Sequence, residues 1–414
     1  MKSETSSQGM RDYLVVTAGY WAFTITDGAI RMLVVLYFHL LGYSAFEVAM
    51  LFVFYELFGV LTNLVGGWLG ARIGLNRTMH IGMSMQIIAL LALTVPESML
   101  TVPYVMAAQA LSGIAKDLNK MSAKASVKTL VSSHKNSVLF KWVAVLTGSK
   151  NTLKGAGFFI GAALLSWIGF QGALFSLAIL LAIVLLITMS LLTAELGKSS
   201  SKAKFQQVFS PVMAINWLSS ARFFLFGSRD IWFVVGLPVY LFEILHWNFN
   251  SIGAFMAVWI IFYGLIQAST PRLLKFKNKE TAPNAHTAFL WAVILFVCPV
   301  AIALFLKTSL PVEYILIIGL ALYAFVFAIN SAIHSYLILS YSDHDKVAMN
   351  VGFYYMSNAA GRLTGTILSG VLYQKYGLSA CLWFSACFVI CAAILTYVLA
   401  KRHPLESFDE HKSC

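Results

Sequence analysis

The chain has 414 residues, of which 59% are hydrophobic and only 11% are charged, and its formal net charge is +12. Soluble domains carry about 25% charged residues, so this composition excludes an ordinary soluble protein and indicates a membrane protein. Positive charge in such a protein is explained by basic cytoplasmic loops and requires no nucleic-acid partner.

Twelve mainly apolar segments are long enough to cross a hydrocarbon core of about 30 Å as helices. The first contains Asp27 and Arg31 and has no small-residue cleavage site, so we do not expect it to be a signal peptide that is removed. In chain order the predicted spans cover residues 13–40, 45–68, 78–95, 102–127, 138–168, 172–193, 212–242, 251–270, 286–306, 312–340, 347–373 and 379–400.

The longest connection between spans reads AELGKSSSKAKFQQVFSP, and its serine and lysine content is typical of a linker. A weak internal repeat places related segments on either side, because RMLVVLYFHLLG in span 1 resembles IWFVVGLPVYLF in span 7, 200 residues later. We therefore predict an all-α membrane protein with a six-helix bundle at residues 1–193, a cytoplasmic linker at 194–211 and a second six-helix bundle at 212–414.

The lysines and arginines between the spans predict the orientation. If both termini are cytoplasmic, seventeen of these residues lie in cytoplasmic segments, and only Lys307 and Lys375 lie in outer loops. The positive-inside rule therefore predicts that the N- and C-termini are both on the cytoplasmic side.

The remaining charged residues lie within the spans, where a charge that faces lipid is strongly disfavoured. Apart from Glu47 and Glu313, which lie at the ends of spans 2 and 10, they occur in spans 1, 2, 4, 5, 7 and 11, whereas spans 3, 6, 9 and 12 contain no Lys, Arg, Asp or Glu. We expect these side chains to face water, a substrate or one another. The bases are Arg31, Lys116, Lys120, Lys124, Lys141, Lys150, Lys154, Arg222, Arg229 and Arg362, and the acids are Asp27, Glu56, Asp117 and Asp230.

Span 4 contains the segment SGIAKDLNKMSAKASVK, in which lysines recur at every fourth position. These lysines are Lys116, Lys120, Lys124 and Lys128. On a helix this spacing forms one stripe, and Lys150 and Lys154 repeat the spacing on span 5. The alternative is that span 4 ends near Ala115 and that the lysines belong to a cytoplasmic loop. The lack of a helix breaker within the segment favours the helix.

Two acids in the first bundle have more than one interpretation. Asp27 and Arg31 lie four residues apart and are predicted to form an ion pair, which either only holds the helix in shape or acts as a gate or proton-coupled switch. Glu56 is isolated in span 2, so it is expected either to carry protons or to pair with an arginine of span 11.

Two further acids have charged neighbours in sequence. Asp117 lies three residues before Lys120, so it is expected to compensate that lysine. Arg229 and Asp230 are adjacent and should point about 100° apart on a helix, so we expect them to pair poorly.

Within the spans, leaving aside the glutamates at the ends of spans 2 and 10, the bases outnumber the acids by ten to four. Uncompensated buried cations are disfavoured, so either some lysines are neutral or anions fill the site. This excess predicts a polyanionic substrate such as a phosphate ester. The predicted substrate-binding residues are Lys116, Lys120, Lys124, Lys150, Lys154, Arg31, Arg222, Arg229 and Arg362, and the candidates for proton coupling or gating are Asp27, Glu56, Asp117 and Asp230.

The sequence lacks the motifs of several other functional classes. It contains no H-E-x-x-H, no G-x-x-x-x-G-K-[ST] and no Ser/His/Asp arrangement, so neither a membrane enzyme nor direct ATP drive is predicted. Its five cysteines form no C-x-x-C pair, so we predict no disulfide framework, no metal site and no cofactor.

Residues 66–78, GGWLGARIGLNRT, resemble the loop motif G-x-L-a-D-R-x-G-R-K between spans 2 and 3 of major facilitator transporters. Gly67, Leu69, Arg72 and Gly74 match the motif, whereas Ala71 replaces its aspartate. This resemblance implies that spans 1, 4, 7 and 10 line a central cavity and that spans 3, 6, 9 and 12 face lipid. The predicted distribution of charges among the spans agrees with this arrangement.

Longer blocks resemble one branch of that superfamily, the bacterial organoarsenical efflux permeases of the ArsJ type. The blocks are YWAFTITDGAIRMLVVLYFH, FYELFGVLTNLVGGWLGARIGLNRT, AQALSGIAKDLNKMSAKASVK and LFKWVAVLTGSKNTLKG. The resemblance implies a multi-pass protein of the bacterial inner membrane that exports 1-arseno-3-phosphoglycerate and thereby confers arsenate resistance.

The implied substrate forms when a glyceraldehyde-3-phosphate dehydrogenase uses arsenate in place of phosphate, so a functional link to that enzyme is expected. We expect the transporter to be a monomer. The alternative is a transporter of the same superfamily that takes up or exchanges an organophosphate or another organic anion, because charge alone does not distinguish import from export.

Overall fold

The computed structural model describes residues 2–43, 51–130, 136–192, 212–247, 249–274, 282–343 and 346–404. Within these ranges the regular secondary structure is entirely helical. The predicted linker at 194–211 and the predicted start of span 2 at 45–50 lie outside the described residues. The helices are α1 Lys2–Leu40, α2 Val53–Ile73, α3 Leu75–Ala92, α4 Val102–Leu130, α5 and α6 within Asn136–Leu191, α7 Met213–Phe233 with a short continuation at Gly236–Glu243, α8 Phe249–Leu273, α9 Ala285–Phe305, α10 Val312–Ser340, and α11 and α12 within Val347–Arg402.

The two longest helical runs each contain two spans. Each has 56 residues, and a straight helix of that length would measure about 84 Å, far more than a bilayer core of about 30 Å. The runs are interrupted at Gly169, with φ 71°, and at Gly377, with φ 73°. Glycine adopts such a positive φ without strain, so one residue suffices to join two helices. We therefore assign 136–168 to α5, 170–191 to α6, 347–376 to α11 and 378–402 to α12.

Counted by length and composition, seven helical segments of the described chain are apolar enough to cross a membrane, and α2, bent by 50°, makes eight if its two parts are one span. The two long runs are counted once each in that number. α3 and α4 are the more polar helices. The seven segments give nine spans when each long run is counted as two, and α2, α3 and α4 bring the total to twelve. The predicted architecture of twelve spans is therefore confirmed.

The helices without internal charges present apolar side chains at the surface. Ile179 and Ile183 on α6, Val297 on α9 and Ile394 on α12 are all more than half exposed. Such surfaces are suited to lipid tails, as the absence of charge in spans 6, 9 and 12 predicts.

Side-chain contacts mark the two ends of the helices. At one end Tyr37 stacks on Phe170, with ring centroids 4.0 Å apart, and its hydroxyl donates to Glu97 at 3.3 Å. At the other end the Tyr341 hydroxyl, after α10, donates to the carbonyl of His403, after α12, at 2.7 Å. The predicted topology places the first end outside and the second in the cytoplasm, and we call them the outer end and the inner end.

The apolar core is divided at the outer end and continuous at the inner end. Within the described residues, one outer cluster contains only residues up to the end of α6, such as Phe38, and the other contains only residues from α7 onward, such as Trp232. The inner cluster combines both sets of helices, and there Phe140 of α5 meets Tyr336 of α10 edge to face at 5.5 Å. The two sets of helices therefore pack together at the inner end, and their described residues share no apolar cluster at the outer end.

Two close backbone contacts seal the inner end, and we call them the inner seams. A Cβ atom on Gly67 of α2 would lie 2.8 Å from the carbonyl oxygen of Ala348 in α11. A Cβ atom on Gly148 of α5 would lie 2.3 Å from the backbone nitrogen of Ala268 in α8. Only glycine allows the helices to approach this closely. Gly67 is also one of the motif residues singled out in the sequence.

Candidate substrate-binding site

The lysine stripe lies inside the protein. α4 continues to Leu130, so the prediction of a helix is confirmed and the loop alternative is wrong. Lys116, Lys120 and Lys124 are each less than a tenth exposed. The side chain of Lys128 is outside the described residues, and Lys141, the remaining base of the first bundle, is exposed.

Glycines bring the charged helices together. A Cβ atom on Gly113 of α4 would lie 2.5 Å from the carbonyl oxygen of Tyr55 on α2. A Cβ atom on Gly28 of α1 would lie 2.6 Å from the carbonyl oxygen of Lys154 on α5. Because these helix pairs approach so closely, side chains next to the glycines reach across to the neighbouring helix.

Asp27 is held by α2 and α5. Its carboxylate accepts a hydrogen bond from the Tyr55 hydroxyl at 2.5 Å and one from the Lys154 ammonium at 2.9 Å. The predicted ion pair between Asp27 and Arg31 is wrong, since the Arg31 guanidinium lies 3.7 Å from Glu56 instead. Asp27 faces the close α1–α5 contact, so the lysine of α5 reaches it in place of the arginine on its own helix.

Asp117 is compensated within α4. Its carboxylate accepts a hydrogen bond from Lys120, which confirms the predicted pair, and the Lys116 ammonium lies 3.7 Å away. Lys116 also lies 3.8 Å from the centroid of the Tyr55 ring and 3.9 Å from the Glu56 carboxylate. One buried acid is therefore shared by two lysines of the stripe.

Glu56 joins cations from both sets of helices. Its carboxylate lies 3.2 Å from Arg362 of α11, 3.7 Å from Arg31 of α1 and 3.9 Å from Lys116 of α4. The structure therefore pairs Glu56 with an arginine of span 11, which is one of the two roles that the sequence left open for it. Between a quarter and a third of the side chains of Glu56, Arg31 and Arg362 is exposed. They are more exposed than the other residues that form ion pairs in the site.

Asp230 is completely buried between two arginines. Arg229 donates from Nε to its carboxylate at 2.6 Å, and Arg362 donates from Nε at 3.0 Å. The expectation that Arg229 and Asp230 pair poorly is wrong. An arginine side chain is long and flexible enough to curl back to the residue beside it, although the two Cα–Cβ bonds diverge.

Two of the three remaining candidate cations have neutral partners. Lys124 donates to the Tyr355 hydroxyl at 2.5 Å, and Arg222 donates from Nε to Asn358 at 3.0 Å. In the part of the chain that the structure describes, Lys124, Lys150 and Arg222 have no carboxylate oxygen within 4.0 Å. We call these three residues the acid-free cluster. We call Asp27, Glu56, Asp117 and Asp230, with the six cations that contact them, the carboxylate network.

The sequence analysis missed a chain of neutral polar side chains that reaches Arg222. Asn151 of α5 donates to Gln267 of α8 at 2.7 Å, and Gln267 donates to the Ser331 hydroxyl of α10 at 3.0 Å. Arg222 donates to the same hydroxyl at 3.3 Å. The available signal was isolated amides in apolar spans, which carry no charge.

The arrangement is suited to holding an anion. Nine interior cations and four carboxylates leave five formal positive charges in the site. Lysine and arginine bind oxyanions through short charge-assisted hydrogen bonds. Among the described residues, no group of three or more His, Cys, Asp or Glu side chains could hold a metal ion.

Comparisons with known proteins agree with this architecture. The sequence profile of the Major Facilitator Superfamily matches residues 16–310 and 283–413. No curated protein sequence matches the chain significantly.

Solved structures of similar fold cover nearly the whole chain. The proton:xylose symporter XylE bound to 6-bromo-6-deoxy-D-glucose is 13% identical over 95% of this chain and 96% of its own, with a TM-score of 0.75. The human organic anion transporter MFSD10 is 15% identical over 94% and 99%, with a TM-score of 0.73. A bacterial homologue of the iron transporter ferroportin, in an outward-facing state, is 15% identical over 94% and 100%, with a TM-score of 0.73. At these identities the likeness shows the fold alone.

Proposed function

This chain belongs to the Major Facilitator Superfamily and is a membrane transporter that works by alternating access, and from that premise we propose that its substrate is the organic anion 1-arseno-3-phosphoglycerate. In this proposal the protein exports the anion across the bacterial inner membrane and so confers arsenate resistance. A glyceraldehyde-3-phosphate dehydrogenase supplies the substrate.

The observation that carries the proposal is the excess of positive charge inside the protein. Five formal positive charges remain after each interior carboxylate is counted against a cation. Buried cations need anions nearby, and a molecule that carries both a phosphate and an arsenate group supplies several negative charges at once. A neutral sugar would leave the excess uncompensated.

The blocks that resemble organoarsenical permeases support the same substrate. They include α1, α2, α4 and α5, which are the helices of the first set that bear the interior charges. The division of the core supports alternating access, because the helices pack across the centre at the inner end and separate at the outer end.

Transport into inside-out vesicles tests the proposal. The vesicles contain the protein, and the outside solution contains the dehydrogenase, its substrates and radiolabelled arsenate. We expect label to accumulate only when the protein and the active dehydrogenase are both present. Accumulation of free arsenate without the enzyme, or no accumulation with it, would contradict the proposal.

Uptake or exchange of an organophosphate is the second candidate, because phosphate and arsenate groups have the same tetrahedral geometry and similar charge. The same vesicles distinguish the two. Accumulation of labelled 3-phosphoglycerate at a rate equal to or above that of the arsenate ester would favour the organophosphate transporter.

A further inference from the structure

We propose that Lys124, Lys150 and Arg222 form the subsite for one tetrahedral oxyanion group of the substrate, a phosphate or arsenate ester. The six other interior cations hold the four carboxylates in place. This inference rests on the proposed function and deepens it, because it assigns the anion to a particular part of the site.

The cations of the carboxylate network already have acidic partners. Asp27 is paired with Lys154, and Asp117 is paired with Lys120. The arginines around Glu56 and Asp230 are bound in the same way. An oxyanion that approached these cations would have to displace a carboxylate or lie beside one. Repulsion between like charges therefore disfavours binding there.

Lys124, unlike the cations of the carboxylate network, has neighbours that are positively charged or neutral. Its ammonium is buried and, among the described residues, its hydrogen-bond acceptor is the Tyr355 hydroxyl. The charges that act on it most strongly belong to Lys150, Arg222 and Lys120, and all are positive. An ammonium has three N–H donors, so two remain for a ligand. Lys150 has no hydrogen-bond partner within the described ranges, and it lies at intermediate exposure on α5.

Arg222 is held rigidly by neutral groups. It is 2% exposed, and it donates to Asn358 at 3.0 Å and to Ser331 at 3.3 Å. The carbon atom of its guanidinium lies 3.7 Å from the centroid of the Phe226 ring, so the ring supports one face of the group. A guanidinium has five N–H donors in a fixed plane, and an arginine positioned in this way is suited to a phosphate or arsenate oxygen.

Unpartnered polar groups beside the cluster are an independent sign of a ligand. Asn330 and His334 lie one turn apart on α10 and are each at least 99% buried. Both polar atoms of the Asn330 amide and Nδ1 of His334 have no hydrogen-bond partner within the described structure. His334 is within electrostatic range of Arg222. Buried polar groups in native proteins almost always have partners, and an oxyanion would provide acceptors for their N–H donors.

The cluster lies toward the inner end of the site. Lys124 is six residues, or about 9 Å of helix, from the inner end of α4, and Arg222 is nine residues, or about 14 Å, from the inner end of α7. Glu56, in contrast, is three residues from the outer end of α2. An anion that enters from the cytoplasm therefore meets the acid-free cluster before it meets the carboxylate network.

The cluster also connects the two sets of helices. Lys124 and Lys150 belong to α4 and α5, whereas Arg222 belongs to α7. One oxyanion bound by all three would draw the sets together next to the inner seams. Occupancy of this subsite would thus stabilise the state in which the inner end is closed.

Equilibrium binding to the purified full-length protein in lipid nanodiscs tests the assignment. The probes are radiolabelled 3-phosphoglycerate and inorganic phosphate. We expect K124Q, K150Q and R222Q each to raise Kd roughly tenfold to a hundredfold, which corresponds to the loss of one hydrogen bond to a charged group. K141Q removes the same charge from an exposed site, and its Kd should equal that of the wild type.

Charge-conserving variants separate binding from folding. K124R and R222K keep the cation, so they should remain monodisperse and bind more tightly than the corresponding glutamine variants. If the wild type binds 3-phosphoglycerate but K124Q, K150Q and R222Q bind it equally well, the subsite assignment is wrong and the proposed function stands. If the wild type binds neither probe and does not transport the arsenate ester, the proposed function fails and the subsite fails with it.

Discussion

Replacement of Gly148 by alanine should open the inner end of the transporter. The added Cβ atom would lie 2.3 Å from the backbone nitrogen of Ala268 and 2.5 Å from the carbonyl oxygen of Gly264. Both neighbours are backbone atoms of α8, so no side chain can move aside to relieve the contact. The α5–α8 seam has to separate instead.

The size of the effect follows from these distances. Ordinary van der Waals contacts of a Cβ atom begin at 3.4 Å, so α5 and α8 must move apart by about 1 Å at this position. Overpacking of this kind typically costs about 1–3 kcal/mol. If the open state does not carry this strain, the ratio of the inner-closed to the inner-open state falls by roughly 5- to 150-fold.

Cysteine labelling measures this ratio. In a variant without native cysteines, a single cysteine replaces Leu139, which is 5% exposed within the inner apolar cluster. Inside-out vesicles present the inner end to a membrane-impermeant maleimide. The labelling rate should rise in the Gly148→Ala variant, and transport should slow, because closure of the inner end becomes unfavourable.

Gly253→Ala is the matched control on α8, because a Cβ atom at Gly253 would have no heavy atom within 4 Å. This change should leave both the labelling rate and transport unaltered. Labelling of the Gly148→Ala variant at the wild-type rate would show that the α5–α8 seam does not hold the inner end closed. The same conclusion follows if Gly253→Ala accelerates labelling as much as Gly148→Ala does.

Three further predictions concern the chemistry of the site. A variant without cysteines should still confer arsenate resistance, because pentavalent arsenate esters bind through oxygen; loss of resistance at normal membrane abundance would indicate a trivalent-arsenic mechanism. In a double-mutant cycle of E56Q and R362Q, read by detergent unfolding, the coupling energy should be about 1–3 kcal/mol, and a value near zero would contradict a bridge between the helix sets. Of the amide variants D27N, E56Q and D117N, at least one should lose its response to a pH gradient, and three full responses would exclude all these acids as proton carriers.

The fold could be predicted from the sequence because membrane spans depend on local composition. Long apolar segments defined the helices, and the absence of charge from spans 6, 9 and 12 anticipated their exposed apolar faces. The stripe of lysines on α4 was equally predictable, since residues spaced four apart lie on the same face of a helix. For the same reason the pair formed by Asp117 and Lys120 was predicted correctly.

The partners of the other charges could not be predicted, because they depend on contacts between distant segments. Asp27 binds Lys154, which is 127 residues away. Arg31 lies on the same helix as Asp27 but contacts Glu56 instead. The Glu56–Arg362 contact joins residues 306 positions apart. Glycines decide which helices approach closely enough for such contacts, and a glycine in a sequence does not reveal which helix it faces.

The single-residue junctions at Gly169 and Gly377 connect the transport machinery mechanically to the surrounding membrane. α5 and α11 take part in the inner seams, and each is joined by only one glycine to a helix with an apolar outer face, α6 or α12. Because a single residue joins each pair of helices, a change in the tilt of α6 must be followed by α5, and a change in the tilt of α12 must be followed by α11. Helix tilt responds to hydrophobic mismatch with the bilayer. Transport in vesicles of long-chain and short-chain lipids should therefore proceed at different rates.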